Sequence, residues 1–294
     1  MLMLRLLVFI VALSSALLPV SVFAQTIMQK VNVFVSILPQ KYFVERIGGE
    51  QVNVQVMVKP GQSPETFEPS PRLMARYSGA DVYFTIGLPF EQVWIKRLAS
   101  LNAAIQVINT RPETTLLLQQ THQHDSDKYK AHQQWDPHTW LSPILAIEQA
   151  KVIYNALSEL QPANTALFEK NFRQLEQQLI QLDQSIAGLF SKTDKHEFLT
   201  FHPAFSYFAN RYHLTQRAIE IDGKEPSAKQ IAALISELSA KQVPNILIEQ
   251  QFNTVIARTI ARSLNAGLLT VDPLAYDYIH NMKDIADKIN RSLF

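Results

Sequence analysis

Four short stretches of the chain carry side chains of the kinds that bind metal ions. They are Pro64-Glu65-Thr66-Phe67-Glu68-Pro69-Ser70-Pro71, Asp136-Pro137-His138-Thr139-Trp140, Phe201-His202-Pro203 and Val271-Asp272-Pro273. From them Glu65, His138, His202 and Asp272 offer two imidazoles and two carboxylates, a complete donor set for a divalent transition metal. Neighbouring prolines stiffen the backbone that presents them. Taken singly, each residue is weak evidence. A histidine after a strand is more often a hydrogen-bonded loop residue. An aspartate before proline is commonly a turn or cap residue, and Glu68 rivals Glu65 within the same stretch. The argument therefore depends on whether the fold brings the four together.

Apolar, β-prone runs recur at 31–38, 52–58, 81–86 and 104–108, and again at 197–201, 216–221, 245–249 and 268–271. Segments with helical spacing lie between most of them, among them 71–79, 89–101 and 227–239. Such alternation predicts parallel sheets covered by helices on both faces. Between the two sets of strands, Leu175, Leu179, Leu182, Ile186 and Leu189 recur every three or four positions, with no proline or glycine before Gly188. This predicts one amphipathic helix of roughly 40 Å over 164–190. The fold class expected is α/β: two lobes, each a mainly parallel four-stranded sheet flanked by helices, joined by one long linker helix. The lobes are placed at 25–163 and 192–294, with the linker at 164–191. Ligands of open parallel sheets bind beyond the carboxyl ends of the strands. Glu65 follows the second run, His202 the fifth and Asp272 the eighth, while His138 precedes a helix that Ser142 is placed to cap. The four can therefore meet between the lobes.

Composition narrows the partners. The chain has 294 residues, 47% of them hydrophobic, and 27 Lys+Arg balance 26 Asp+Glu. No basic stripe stands out, so nucleic acid is not an expected partner. With no cysteine, disulfides, thiolate metal sites and a lipid-anchoring N-terminal cysteine are excluded. Arg5, the apolar run 6–18 and Val22-Phe23-Ala24 read as a signal peptide over residues 1–24, cleaved after Ala24. That predicts export to the periplasm. The polar stretch 118–135 carries His122, His124 and His132. It reads as a surface loop with an auxiliary metal-capture role as the rival reading.

The motifs in their order resemble the metal-binding solute-binding proteins of bacterial zinc and manganese ABC transporters, over essentially the whole mature chain. Gly61-Gln62-Ser63-Pro64-Glu65-Thr66-Phe67-Glu68-Pro69-Ser70-Pro71 is similar to the family's first-ligand loop, and Asp136-Pro137-His138-Thr139-Trp140-Leu141-Ser142-Pro143 to its second. Phe201-His202-Pro203-Ala204-Phe205 resembles the third and Val271-Asp272-Pro273-Leu274 the fourth. Gly223-Lys224-Glu225-Pro226-Ser227-Ala228 and Glu249-Gln250-Gln251-Phe252 resemble segments of the second lobe. The resemblance implies a periplasmic protein, not an enzyme, that captures Zn²⁺, Mn²⁺ or Fe²⁺ between two helix-linked lobes and delivers it to an ABC permease as a monomer. One position departs from the pattern: the family usually has histidine where this chain has Glu65. Two carboxylates favour the higher coordination of Mn²⁺ or Fe²⁺, whereas a rigid tetrahedral shell suits Zn²⁺. The alternatives are a metal-dependent hydrolase, against which stands the lack of a His-Glu-x-x-His motif, and a binding protein for haem or a metal chelate.

Overall fold

The computed structural model describes residues 29–112, 117, 135–220, 225–252 and 254–294. The expected signal peptide, the stretch bearing His122, His124 and His132, and Gly223-Lys224 lie outside the described residues.

Among the described residues, two four-stranded parallel sheets carry the site. The first has β1 (Val31–Val35), β2 (Val52–Val56), β3 (Val82–Thr85) and β4 (Gln106–Asn109) in the order β2-β1-β3-β4. The second has β5 (Glu197–Thr200), β6 (Thr215–Ala218), β7 (Asn245–Glu249) and β8 (Gly267–Val271) in the order β6-β5-β7-β8. The two orders are the same, so each sheet reverses direction once, between β1 and β3 and between β5 and β7. Such a reversal opens a crevice at the strand ends. The inner strands are buried on both faces, as in the all-buried β3, which is why their sequences are nearly continuously apolar rather than alternating.

Each of the eight apolar runs contains or overlaps one strand, but the strands stop earlier than the apolarity does. The run 31–38 leaves the sheet after Val35, because the Gln40 side chain accepts the Ser36 N–H at 3.0 Å and Leu38 already opens α1 (Leu38–Gly48). Further helices are α2 (Pro71–Tyr77), α3 (Pro89–Leu101), α4 (Pro143–Leu160), α5 (Thr165–Phe190), α6 (Ser206–Arg211), α7 (Ala228–Leu238), α8 (Thr254–Leu264) and α9 (Tyr278–Asn290). Ser70 caps α2 by accepting the Leu73 N–H. Ser142 does occupy the N-cap position of α4, but its side chain makes no capping bond. Pro143 follows, and a proline at the first helical position has no N–H to satisfy.

The long helix is α5. Its 26 residues span about 39 Å, and Phe168, Phe172, Leu175, Leu179, Leu182 and Ile186 form its buried stripe. It packs against α1, α4 and α9. Buried among its apolar residues is Asp183, whose carboxylate accepts from Arg211 Nε at 2.8 Å, Arg211 Nη2 at 2.6 Å and the Tyr212 hydroxyl at 3.0 Å. A buried charge is tolerable only when paired and hydrogen-bonded in this way. One apolar core runs from Phe34 and Tyr83 through Leu175 and Leu179 to Phe205, Tyr278 and Ile285, so the two sheets share it. Polar ties cross the same boundary: Trp140 Nε1 donates to Pro273 O at 2.9 Å, the Tyr278 hydroxyl to Trp140 O at 2.6 Å, and the Tyr276 hydroxyl to Glu45 at 2.7 Å. No described helix is long and apolar enough to cross a membrane.

Candidate metal centre

Three of the four candidate ligands meet. One donor atom each from Glu65, His138 and His202 lies within 4.8 Å of the others. His202 Nε2 and Glu65 Oε1 are 3.0 Å apart, and the two imidazole rings are 5.2 Å apart between centroids. Both histidines are buried, while Glu65 keeps 23% of its side chain exposed. Glu68, the rival within the first stretch, is exposed and outside the group. Asp272 also stands outside it. Its oxygens are held by Gln250 Nε2 at 2.7 Å, Gln251 Nε2 at 3.1 Å and the Leu274 N–H at 3.1 Å.

Each imidazole is fixed from behind by a carboxylate. His138 Nδ1 lies 2.7 Å from Asp136 Oδ1, which also accepts the His138 backbone N–H at 2.9 Å. His202 Nδ1 lies 2.6 Å from Glu220 Oε2. A carboxylate can only accept here, so each Nδ1 carries the proton and each Nε2 is left as the donor toward the cavity. Phe252 stacks on the His202 ring at 4.9 Å, and Trp140 flanks His138 at 5.1 Å. The rings are thus held in place by hydrogen bonds and packing together.

The electrostatics follow from that crowding. Burial pulls the His202 pKa down, but the hydrogen bonds to Glu220 and Glu65 and the fields of Glu65 and Glu249 outweigh it, raising the value to about 10. For Glu65, burial opposes ionisation, yet the hydrogen bond and charge of His202 and the field of His138 hold its pKa below the usual value. Without a metal, a proton on His202 Nε2 bridges to Glu65. A cation binding there would have to replace that proton and would meet a preformed imidazole–carboxylate pair. The surrounding cavity, about 30 Å³, is lined by Glu65, His138, Trp140, His202, Glu249 and Phe252 among others. It has room for an ion or a water molecule.

A family model described as ZnuA, zinc-uptake complex component A, periplasmic, matches residues 33–292. The chain belongs to this family. A crystal structure of ZnuA is 37% identical, with a TM-score of 0.84, and the alignment covers 90% of this chain and 99% of that one. A ZnuA 138–173 deletion mutant with zinc bound is 36% identical, with a TM-score of 0.83, covering 90% of this chain and 98% of the other. The zinc-binding lipoprotein AdcA of Streptococcus pneumoniae is 28% identical over 252 residues, 83% of this chain and 50% of AdcA. The chain therefore spans about half the length of that curated relative.

In this ZnuA-family chain, strand register explains the partners that sequence reasoning missed. Parallel pairing of β5 with β6 sets Thr200 opposite Ala218. Two residues further along both chains, the same offset brings His202 to Glu220. Pairing of β7 with β8 sets Glu249 opposite Val271, and the next step brings Gln250 to Asp272. Asp136 lies only two residues before His138, and that spacing was the one available signal for its role. Glu249, 1% exposed, has its pKa raised by burial to about 7, against the pull of the His202 charge.

Proposed function

We propose that this chain is the exported solute-binding component of an ABC uptake system, capturing a divalent transition metal between its lobes and delivering it to a membrane permease. The observation that carries this reading is the convergence of Glu65, His138 and His202 in a cavity sized for one ion, with both Nδ1 atoms already committed to carboxylates. Glu65, His138 and His202 bind the ion directly. Asp272 is the fourth side chain of the set and exchanges its glutamine amides for the metal. The lobes are residues 25–163 and 192–294 with the linker at 164–191, and the mature, monomeric chain starts at Gln25. Membership of the ZnuA family and the zinc-bound relative support zinc as cargo. The carboxylates extend the range to Mn²⁺ and Fe²⁺. A cavity of about 30 Å³ weighs against haem, a metal chelate or a hydrolase substrate, since pockets for small organic molecules run to several hundred Å³. No group in this reading acts as a catalyst.

The test is equilibrium competition of the mature chain against a chromophoric chelator for Zn²⁺ and Mn²⁺. His138→Ala and His202→Ala are each expected to weaken binding at least about tenfold, about 1.4 kcal/mol, with unchanged secondary structure. Wild-type affinity in both variants would sink the proposal.

A further inference from the structure

The donor set proposed above leaves one buried carboxylate without a role. Glu249 ends β7 at the point where the second sheet reverses, and its side chain lines the same cavity as Glu65, His138 and His202. It is 1% exposed. Its Oε2 has no hydrogen-bond partner, its Oε1 has a 3.5 Å contact from Thr200 Oγ1, and the backbone N–H groups of His202 and Glu249 itself favour its charged form. Other buried side-chain atoms without partners, such as those of Asp136, Gln149 and Ser158, belong to residues that do not line this cavity. An unsatisfied buried carboxylate oxygen costs stability, and a native structure keeps one where a water or an ion completes it. Asp272 presents the opposite case, with both oxygens already accepting amide protons.

We infer that Glu249 is a direct oxygen donor to the metal, in addition to the side chains named above. The inference rests on the proposed metal-binding function. Glu249 lies outside the trio that already converges, so donation requires its side chain to rotate. That rotation gives up the 3.5 Å contact from Thr200 and the backbone N–H groups of His202 and Glu249, which a bond to the ion replaces. An added carboxylate oxygen raises the coordination number and hardens the site. It therefore favours Mn²⁺, which prefers oxygen, more than Zn²⁺, which is satisfied by four ligands.

The experiment substitutes Co²⁺ as a spectroscopic probe in the mature wild-type chain, Glu249→Gln and Asp272→Asn, and titrates each with Mn²⁺ and Zn²⁺. For Glu249→Gln the visible Co²⁺ bands are expected to change in intensity and position as a neutral amide oxygen replaces a charged carboxylate donor. Mn²⁺ affinity is expected to fall at least about tenfold, and Zn²⁺ affinity by less. An unchanged Co²⁺ spectrum overturns the inference even if affinity falls, because charge alone would then explain the loss. A crystal structure of the wild-type chain with Mn²⁺ gives the second readout, independent of any variant. Glu249 oxygen at about 2.2 Å from the ion supports the inference, and separation by an intervening water overturns it. If wild-type protein binds none of the three ions, the function proposed above fails first and this inference with it. If it binds them and Glu249→Gln gives the wild-type spectrum, only the inference fails.

Discussion

Metal affinity should climb steeply with pH well above the range where an ordinary histidine has finished titrating. In the metal-free protein His202 holds its proton up to about pH 10, because Glu220 and Glu65 grip both ring nitrogens. A metal that takes Nε2 must expel that proton, while the Nδ1 proton stays with Glu220. Below the His202 pKa, log K then rises by one for each pH unit, about 1.4 kcal/mol per unit. From about pH 7.5 to about pH 9, beyond the titration of Glu249 near 7, this amounts to roughly thirtyfold, or about 2 kcal/mol. An unperturbed imidazole with a pKa of about 6.5 would give a flat profile over the same window. The assay is chelator competition at fixed free-metal activity, corrected for metal hydrolysis. Calorimetry in two buffers of different ionisation enthalpy should count about one proton released per ion at about pH 8. Glu220→Gln removes the charge behind Nδ1, so its profile should level off at lower pH than wild type. A flat wild-type profile from about pH 7.5 to 9 with no proton release would refute the reasoning.

Glu65→His should hold or raise Zn²⁺ affinity and lower Mn²⁺ affinity about tenfold or more, measured by the same competition, because imidazole suits the softer ion; Glu65→Gln should weaken both. Removing the acceptor in Asp183→Ala should cost the metal-free chain about 1–3 kcal/mol in chemical denaturation, since the buried Tyr212 hydroxyl loses its partner. The raised His202 pKa has a sign that can be checked. Its stabilisation of the metal-free fold is fully present below about pH 6.5 and lost as pH approaches about 10. The difference in unfolding free energy between wild type and His202→Gln should shrink across that window.

The convergence of Glu65, His138 and His202 was legible because each sits in a short motif beside proline, two of them beyond an apolar run whose strand character is plain and His138 just before a helix. Strand ends were less legible: Ile37 and Leu38 are as apolar as the strand before them, yet a side-chain amide from Gln40 turns the backbone out of the sheet. Glu220 could not be read at all, because it is paired to His202 by a register offset fixed only when β5 and β6 meet. The same holds for Gln250 and Asp272 across β7 and β8. The Val271-Asp272-Pro273 motif does not record that two glutamine amides hold the Asp272 oxygens.

The core that passes without a break from one sheet through α5 to the other has a consequence for how the molecule comes apart. Lobes with separate cores would melt independently, and a calorimeter would resolve two heat-absorption peaks. The second sheet also keeps a smaller apolar cluster of its own around Leu199, Ile246 and Ile260, but losing the shared core strips packing from both halves at once, so the main unfolding transition should be a single event. An ion held at the junction then protects those groups in both halves that open only by global unfolding. At free metal one hundred times the dissociation constant, that protection is about 2.7 kcal/mol. It should appear as a slowing of amide exchange in the most protected strands of both sheets, including those with no residue near the cavity.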